Sequence, residues 1–373
     1  MNIAKSVTGL LLAGSLFLAG CNDEGATETP TESTNDNGAE TTEQGDLHIE
    51  VVAKGFQHQF WTAVKSGAEQ AAEEYGITMN FTGPANETAI QEQNQMLSNA
   101  VNQDPDAIVL ASLDTESQID LISQAYDAGI PIVGFDSGVP DAPEGAIVAN
   151  ASTDNYAAAA LGAERIFEAI EDEVANASVD NSVRIGVVSQ EVNSLSIRSR
   201  TEGFIETMNE MAIELDNVNE GEVAIVGHDR FNNGVSENEA SVIIELSVPT
   251  QATDSAIQTA AQTLFNKDDL IAIFGTNELA ANGIVNANQA VGDRLNDDVI
   301  GGGFDAGALQ LEAVRDGTLY GSITQNPVQI GYLAIELAVQ AVNGEEVEDV
   351  DTGAVWYNQE NVDDEDVSEL LYE

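Results

Sequence analysis

A single cysteine in 373 residues, Cys21, excludes both an intrachain disulfide and a thiolate zinc site. Cations are scarce as well. Eleven Lys plus Arg stand against 65 Asp plus Glu, a formal net charge of −54. Nucleic-acid phosphates need clustered cations, so that class of partner is excluded. The longest apolar run near the start, Val7 to Leu18, is too short to span a bilayer. Neither a Gly-x-Ser-x-Gly nucleophile elbow nor a His-Glu-x-x-His zinc helix occurs, and nothing in the pattern calls for a metal or a cofactor. What is present is a foldable chain: 43% of residues are hydrophobic, enough for a real core, and the length suits two domains of ordinary size.

The charge imbalance has a physical consequence. Over residues 47–373 there are 57 acids and 10 bases, an excess of 47. On the folded surface expected for that mass, excess charges lie roughly 17 Å apart. The screening length is about 10 Å at 0.1 M salt and about 3 Å at 1 M, so repulsion summed over many neighbours loosens the fold in dilute buffer and vanishes in molar salt. The composition is read as adaptation to a very salty environment, solubility being the plainer alternative.

The first 46 residues have the layout of an address and a tether. Lys5 precedes the apolar run as in a secretory signal, residues 1–20. The run ends in Leu18-Ala19-Gly20-Cys21, similar to the lipobox of bacterial lipoproteins, in which the cysteine is lipidated. Asn22 to Asp46 contain no Val, Ile, Leu or aromatic residue and cannot bury enough surface to order themselves. As a flexible linker, these 25 residues reach roughly 25–30 Å. The expectation is an exported protein, lipid-anchored to the outer face of the cytoplasmic membrane.

From Leu47 onward, short Val- and Ile-rich runs alternate with Ala-rich amphipathic stretches. The runs are Leu47–Ala53, Ile77–Phe81, Ala107–Ala111, Pro131–Phe135, Val183–Ser189, Val223–Val226, Leu270–Phe274, Val299–Phe304 and Leu319–Thr324. Strands apolar on both faces and separated by helices predict parallel sheets covered on both sides. Nine strands exceed one small sheet, so the predicted fold class is α/β with two doubly wound lobes joined by several crossovers. The expected division is 47–150 plus 326–350 for the first lobe and 151–325 plus 351–373 for the second. No short internal repeat stands out. Asp229–Ser241, with Asn232-Asn233-Gly234 as a tight turn, is read as a surface insertion, because Phe231 sits where a calcium loop needs an oxygen ligand.

In open parallel sheets, ligands bind beyond the carboxyl ends of the strands. The residues there are Lys54, Asp136, Asn277, Asp305 and Gln325, with His58, Phe60 and Trp61 just past the first strand and Arg198 at a helix start. Amides, carboxylates, a guanidinium and flat aromatic faces suit a sugar: planar forks bond vicinal hydroxyls, and rings cover its C–H surface. Each also has a structural alternative as a turn, a helix cap or a core residue. Arg200, two residues past Arg198, is read as a structural ion pair. Lys54 and Arg198 against Asp136 and Asp305 leave the site near neutral, favouring an uncharged ligand. Trp61→Ala or Asp136→Ala is expected to abolish binding with the fold intact.

Seven motifs in order carry a family resemblance: Lys54-Gly55-Phe56-Gln57-His58-Gln59-Phe60-Trp61, Gly129 to Asp136, Asp154-Asn155-Tyr156, Arg198 to Phe204, Asn277-Glu278, Gly303-Phe304-Asp305 and Gln325-Asn326-Pro327. Residues 47 to about 358 resemble the type I periplasmic sugar-binding proteins of the ribose-binding class, receptors of ABC importers. The resemblance implies that Phe60 and Trp61 sandwich a sugar ring, that His58 and Asp136 bond hydroxyls beside Ser137, and that Arg198, Asn277, Phe304, Asp305 and Gln325 close from the second lobe and hinge. It implies a monomer that captures a small neutral pentose or hexose by hinge closure and delivers it to permease subunits. Alternatives are a receptor presenting its ligand to a sensor kinase or chemoreceptor, or one for another polyol or an autoinducer-like ligand. Ribose binders of the family often carry Asn at the position of His58, Arg at that of Ser137 and a small hydroxyl residue at that of Lys54, so the pocket is rebuilt. An enzyme is disfavoured: the Gly301-x-Gly303-x-x-Ala306 fingerprint lies late in the chain, and Asp136 with Asp305 forms a glycosidase pair only at the right separation.

Overall fold

The computed structural model describes residues 47–372 except Gln57 and Asn296; the proposed export signal, Cys21 and the acidic linker lie outside the described residues. Thirteen strands are described. They are β1 (His48–Val52), β2 (Thr78–Thr82), β3 (Ala107–Leu110), β4 (Ile132–Phe135), β5 (Ile147–Ser152), β6 (Val183–Val188) and β7 (Val223–Val226), then β8 (Val242–Ser247), β9 (Leu270–Gly275), β10 (Ile300–Phe304), β11 (Gly321–Gln325), β12 (Val350–Asp351) and β13 (Ala354–Tyr357). The helices are α1 (Gln59–Tyr75), α2 (Ile90–Asn102), α3 (Ile119–Ala128), α4 (Asn155–Ala175) and α5 (Leu195–Glu214), followed by α6 (Asp254–Phe265), α7 (Glu278–Val291), α8 (Ala308–Arg315), α9 (Pro327–Val342) and α10 (Glu365–Ser368).

Two sheets result. The first runs β12-β5-β4-β3-β1-β2, parallel throughout; the second runs β13-β11-β10-β9-β6-β8-β7, parallel except for the β11–β13 pair. Every residue of β3, β4 and β6 is buried, as helices on both faces demand. Helices α1, α2, α3 and α9 pack on the first sheet, and α4 to α8 on the second. The chain passes between the sheets after β5, after β11 and after β12, so three short connections join two lobes. All nine apolar runs are strands.

Four strands escaped the apolar pattern. β5 (Ile-Val-Ala-Asn-Ala-Ser) is too rich in small and polar residues, and β8 carries Glu245, whose carboxylate faces the buried Arg184 guanidinium. β12 and β13 are short pieces on either side of the last crossover. The polar segment 229–241 covers the free edge of β7: Asn233 Oδ1 accepts from Ile225 N at 3.0 Å and its Nδ2 donates to Val223 O at 2.8 Å. A sheet edge protected in this way does not pair with another chain.

Helices α1 and α9 approach at two facing glycines. A Cβ on Gly67 would lie 1.9 Å from Val328 O, and one on Gly331 would lie 1.9 Å from Val64 O. Backbone oxygens cannot swing aside, so Gly67→Ala is expected to force the helices apart and cost about 1–3 kcal/mol. Urea unfolding in molar salt measures it; an unchanged midpoint contradicts this packing.

Candidate functional site

The carboxyl ends of the two sheets face each other across a small, tightly lined cavity. The first lobe contributes Lys54, His58, Phe60, Trp61, Glu87 and Asp136; the second contributes Ile197, Arg200, Asn277, Glu278, Asp305 and Gln325. Lys54, Asp136, Asp305 and Gln325 each follow or end a strand, and His58 and Asn277 are N-cap residues of α1 and α7. Asn277 Oδ1 accepts from Ala280 N at 3.1 Å, so it caps its helix while lining the cavity.

The two aspartates occupy matching places. Gly134-Phe135-Asp136-Ser137-Gly138 leaves β4 and Gly303-Phe304-Asp305-Ala306-Gly307 leaves β10, a five-residue repeat with one difference. Both aspartates have left-handed backbone, with φ of 54° and 81°. Such a conformation is costly for a side-chain-bearing residue and collects at functional sites.

Charged groups in the cavity are tied to one another. Lys54 Nζ lies 3.1 Å from Asp136 and 3.7 Å from Glu87, and donates to Ser196 Oγ of the second lobe at 2.9 Å. Burial alone would lower the Lys54 ammonium, but Asp136 foremost, then Glu87 and Glu191, hold it above its usual value. Arg200 lies 3.9 Å from Asp136 and 3.7 Å from Asp305, donates to Asn155 Oδ1 at 2.7 Å, and stacks 3.9 Å over the Phe304 ring. Glu87 accepts from Trp61 Nε1 at 2.8 Å and from Gln190 Nε2 at 2.9 Å, and lies 3.3 Å from His58 Nε2. Burial would raise Glu87, yet His58, Lys54 and Trp61 keep it well below the usual carboxylate range. Glu278 is raised, by burial first and by Asp305, with His58 opposing.

Burial would lower the His58 imidazole; the hydrogen bond and charge of Glu87, with Glu278 and Asp305 behind it, raise it above 6.5 instead. The folded state thus holds this proton more tightly than the unfolded chain does. Its stabilising contribution is complete below about pH 6.5 and is lost as pH rises through the folded-state value. His58→Gln is expected to flatten the fall of unfolding free energy above pH 6.5; a pH profile parallel to the wild type's contradicts the pairing.

The structure corrects four expectations. Arg198 does not line the cavity: its guanidinium points outward, 3.9 Å from Glu202, while Arg200 takes the place in the site. Positions two apart on a helix face nearly opposite sides, so only one of the pair can reach the cleft. Phe60 and Trp61 cannot sandwich a ring between them, because they meet edge to face with centroids 5.1 Å apart and planes at 86°. Ser137 and Phe304 stand behind the cavity wall: Ser137 Oγ accepts from Ser196 N at 3.3 Å, and Phe304 supports Arg200. Finally, four carboxylates (Glu87, Asp136, Glu278, Asp305) against two fixed cations (Lys54, Arg200) leave two negative charges before His58 is counted, so the site is acidic rather than near neutral.

Glu87 and Glu278 were not anticipated. Neither stands at the first polar position past a strand. Glu87 lies five residues beyond β2, in the Gly83-Pro84-Ala85-Asn86 loop, and Glu278 stands directly behind Asn277.

Comparison with known proteins adds family evidence. The periplasmic binding protein domain matches residues 49–346. The D-allose-binding periplasmic protein of Escherichia coli K12 is 22% identical over 299 residues, covering 78% of this chain and 83% of the relative. A solved structure described as an ABC transporter, LacI family transcriptional regulator from Brachyspira murdochii is 35% identical with TM-score 0.72, covering 88% of this chain and 99% of that one. An ABC transporter solute binding protein from Agrobacterium vitis with bound D-fucose is 27% identical with TM-score 0.72, covering 87% and 100%.

Proposed function

The chain belongs to the periplasmic binding protein domain family, and on that premise we propose that it is the exported receptor of an ABC importer, a monomer whose lobes close on a small neutral pentose or hexose for delivery to permease subunits. The observation that carries this reading is a two-sided set of buried polar atoms. Asp136 Oδ2 and His58 Nε2 from the first lobe and Gln325 Oε1 from the second lack a well-directed hydrogen bond. Asp136 Oδ2, 3.1 Å from Lys54 Nζ, and Gln325 Oε1 are acceptors with capacity left, so a ligand that brings donors to both lobes at once completes them. Sugar hydroxyls do so, while the Phe60 and Trp61 rings present apolar surface for C–H groups. The acidic lining disfavours sugar acids and phosphates. On this reading, Lys54, His58, Phe60, Trp61, Asp136, Asn277, Asp305 and Gln325 touch ligand, joined by Glu87, Arg200 and Glu278, and contact with both lobes is what favours the closed form.

Thermal-shift screening of pentoses, hexoses and inositols in molar salt tests this. D-allose and D-fucose, named for the relatives above, are the first to try. A ligand at 100 times its dissociation constant adds about 2.7 kcal/mol, a clear shift. A panel in which no neutral sugar raises the melting temperature contradicts the reading.

Two further parts of the proposal concern the setting. Cys21 carries the lipid anchor, tested by mass spectrometry of the membrane fraction, where an unmodified Cys21 contradicts it. The excess of acids suits high salt, so the melting temperature is expected to rise between 0.1 and 2 M potassium chloride, concentrations about one and 20 times that at which the screening length is about 10 Å; no gain contradicts it. The proposed lobes are 47–150 with 326–350 and 151–325 with 351–373.

A further inference from the structure

We propose that Gln59 and Glu278 form a closure latch in which each lobe caps a helix of the other. The first N–H groups of an α-helix have no partner within the helix and need an external acceptor. Helix α1 starts without one of its own: its N-cap residue His58 makes no side-chain cap bond, and its first turn has no acid. The acceptor comes from across the cleft. Glu278, first residue of α7 in the second lobe, accepts from Gln59 N at 3.3 Å through Oε1 and from Phe60 N at 3.2 Å through Oε2. A carboxylate at a helix N-terminus is also favoured by the helix dipole.

The exchange is reciprocal. Helix α8 in the second lobe has Gly307 as its N-cap, which offers no side-chain oxygen, and no acid in its first turn. Its first N–H, of Ala308, donates to Gln59 Oε1 at 2.7 Å, so the side chain of the residue capped by Glu278 caps α8 in return. Gly307 leaves room for the same contact: a Cβ there would lie 2.6 Å from Glu278 Oε1 and 3.2 Å from Gln59 Oε1 and would displace both side chains. When the lobes part, both helix ends lose their acceptors together, and closure restores both. Gln59 and Gly307 do not line the cavity. They act as positioning residues, setting the closed fraction and leaving the choice of ligand alone.

The inference rests on the two-lobe receptor reading, and the experiment separates the two. Small-angle scattering of the full chain in molar salt, with no sugar added, is compared for wild type, Gln59→Ala and Gly307→Ala; calorimetry follows with whichever sugar binds the wild type. The latch predicts a larger ligand-free radius of gyration in both variants. It also predicts affinity weakened about 3- to 10-fold, as for loss of one cap, with the order of preference among sugars unchanged. Equal radii in wild type and Gln59→Ala overturn it. Gln59 is half-buried, so that variant keeps the test decisive should Gly307→Ala fail to fold. Should no sugar bind the wild type, the receptor reading falls and scattering alone decides the latch.

Discussion

Arg200→Ala is expected to abolish ligand-dependent stabilisation and to cost about 3–5 kcal/mol of folding stability, the usual loss when one partner of a buried ion pair is removed. The guanidinium is 2% exposed and faces Asp136 of one lobe and Asp305 of the other while resting on Phe304. Its loss removes the cation the two carboxylates share, leaving Asp136 to Lys54 and Asp305 to the Gln325 amide and Glu278 N–H, in a cavity already rich in acid. Arg198→Ala is the control. That side chain pairs with Glu202 at 3.9 Å, one turn along the same helix, and its removal is expected to change stability by less than about 1 kcal/mol and affinity not at all. Denaturant melts of both variants, with and without ligand, decide between the arginines; equal losses contradict the assignment.

Trp61→Ala carries the second large effect, and it revises the expectation that the fold would survive. The indole is 1% exposed, belongs to the first lobe's core, meets Phe135 edge to face at 6.1 Å, and donates to Glu87. Deleting it combines a core cavity, about 3–5 kcal/mol, with the loss of a donor to a buried carboxylate. Binding and folding should therefore fail together, and calorimetric unfolding of the variant measures the second. Trp61→Phe keeps most of the packing and isolates the lost N–H bond. A Trp61→Ala protein as stable as wild type contradicts this placement of the ring.

Much of the architecture was legible because parallel strands buried on both faces write themselves as unbroken Val and Ile runs. The misses follow from the same physics. β5 is built from small residues, and β8 breaks its run with Glu245, whose charge is met by Arg184 and Lys267. At the site, Lys54, Asp136, Asn277, Asp305 and Gln325 were legible because each stands within three residues of the end of an apolar run. That pattern does not reach Glu87, held at the end of a loop, nor does it tell Arg198 from Arg200, since the rotation of α5 about its axis is set by packing. The apolar pattern of α5 is too even to fix that rotation: Ser196, Ile197, Arg200, Thr201, Gly203 and Phe204 are all buried. The repeat around Asp136 and Asp305 was readable in principle, but its two copies lie 169 positions apart in the chain (305 − 136), and their shared left-handed backbone is visible only in the structure.

The central claim is that facing polar groups of two lobes, with the aromatic rings of the first, grip an uncharged polyhydroxy ligand. Titration calorimetry in molar salt, of wild type and Asp136→Asn against neutral aldopentoses and aldohexoses with their uronic acids and phosphates as comparison, tests it directly. The account predicts saturable binding of at least one neutral sugar, none of the anionic derivatives, and loss of that binding in Asp136→Asn. Tighter binding of an acid or phosphate, or a neutral sugar bound equally well by Asp136→Asn, would contradict it.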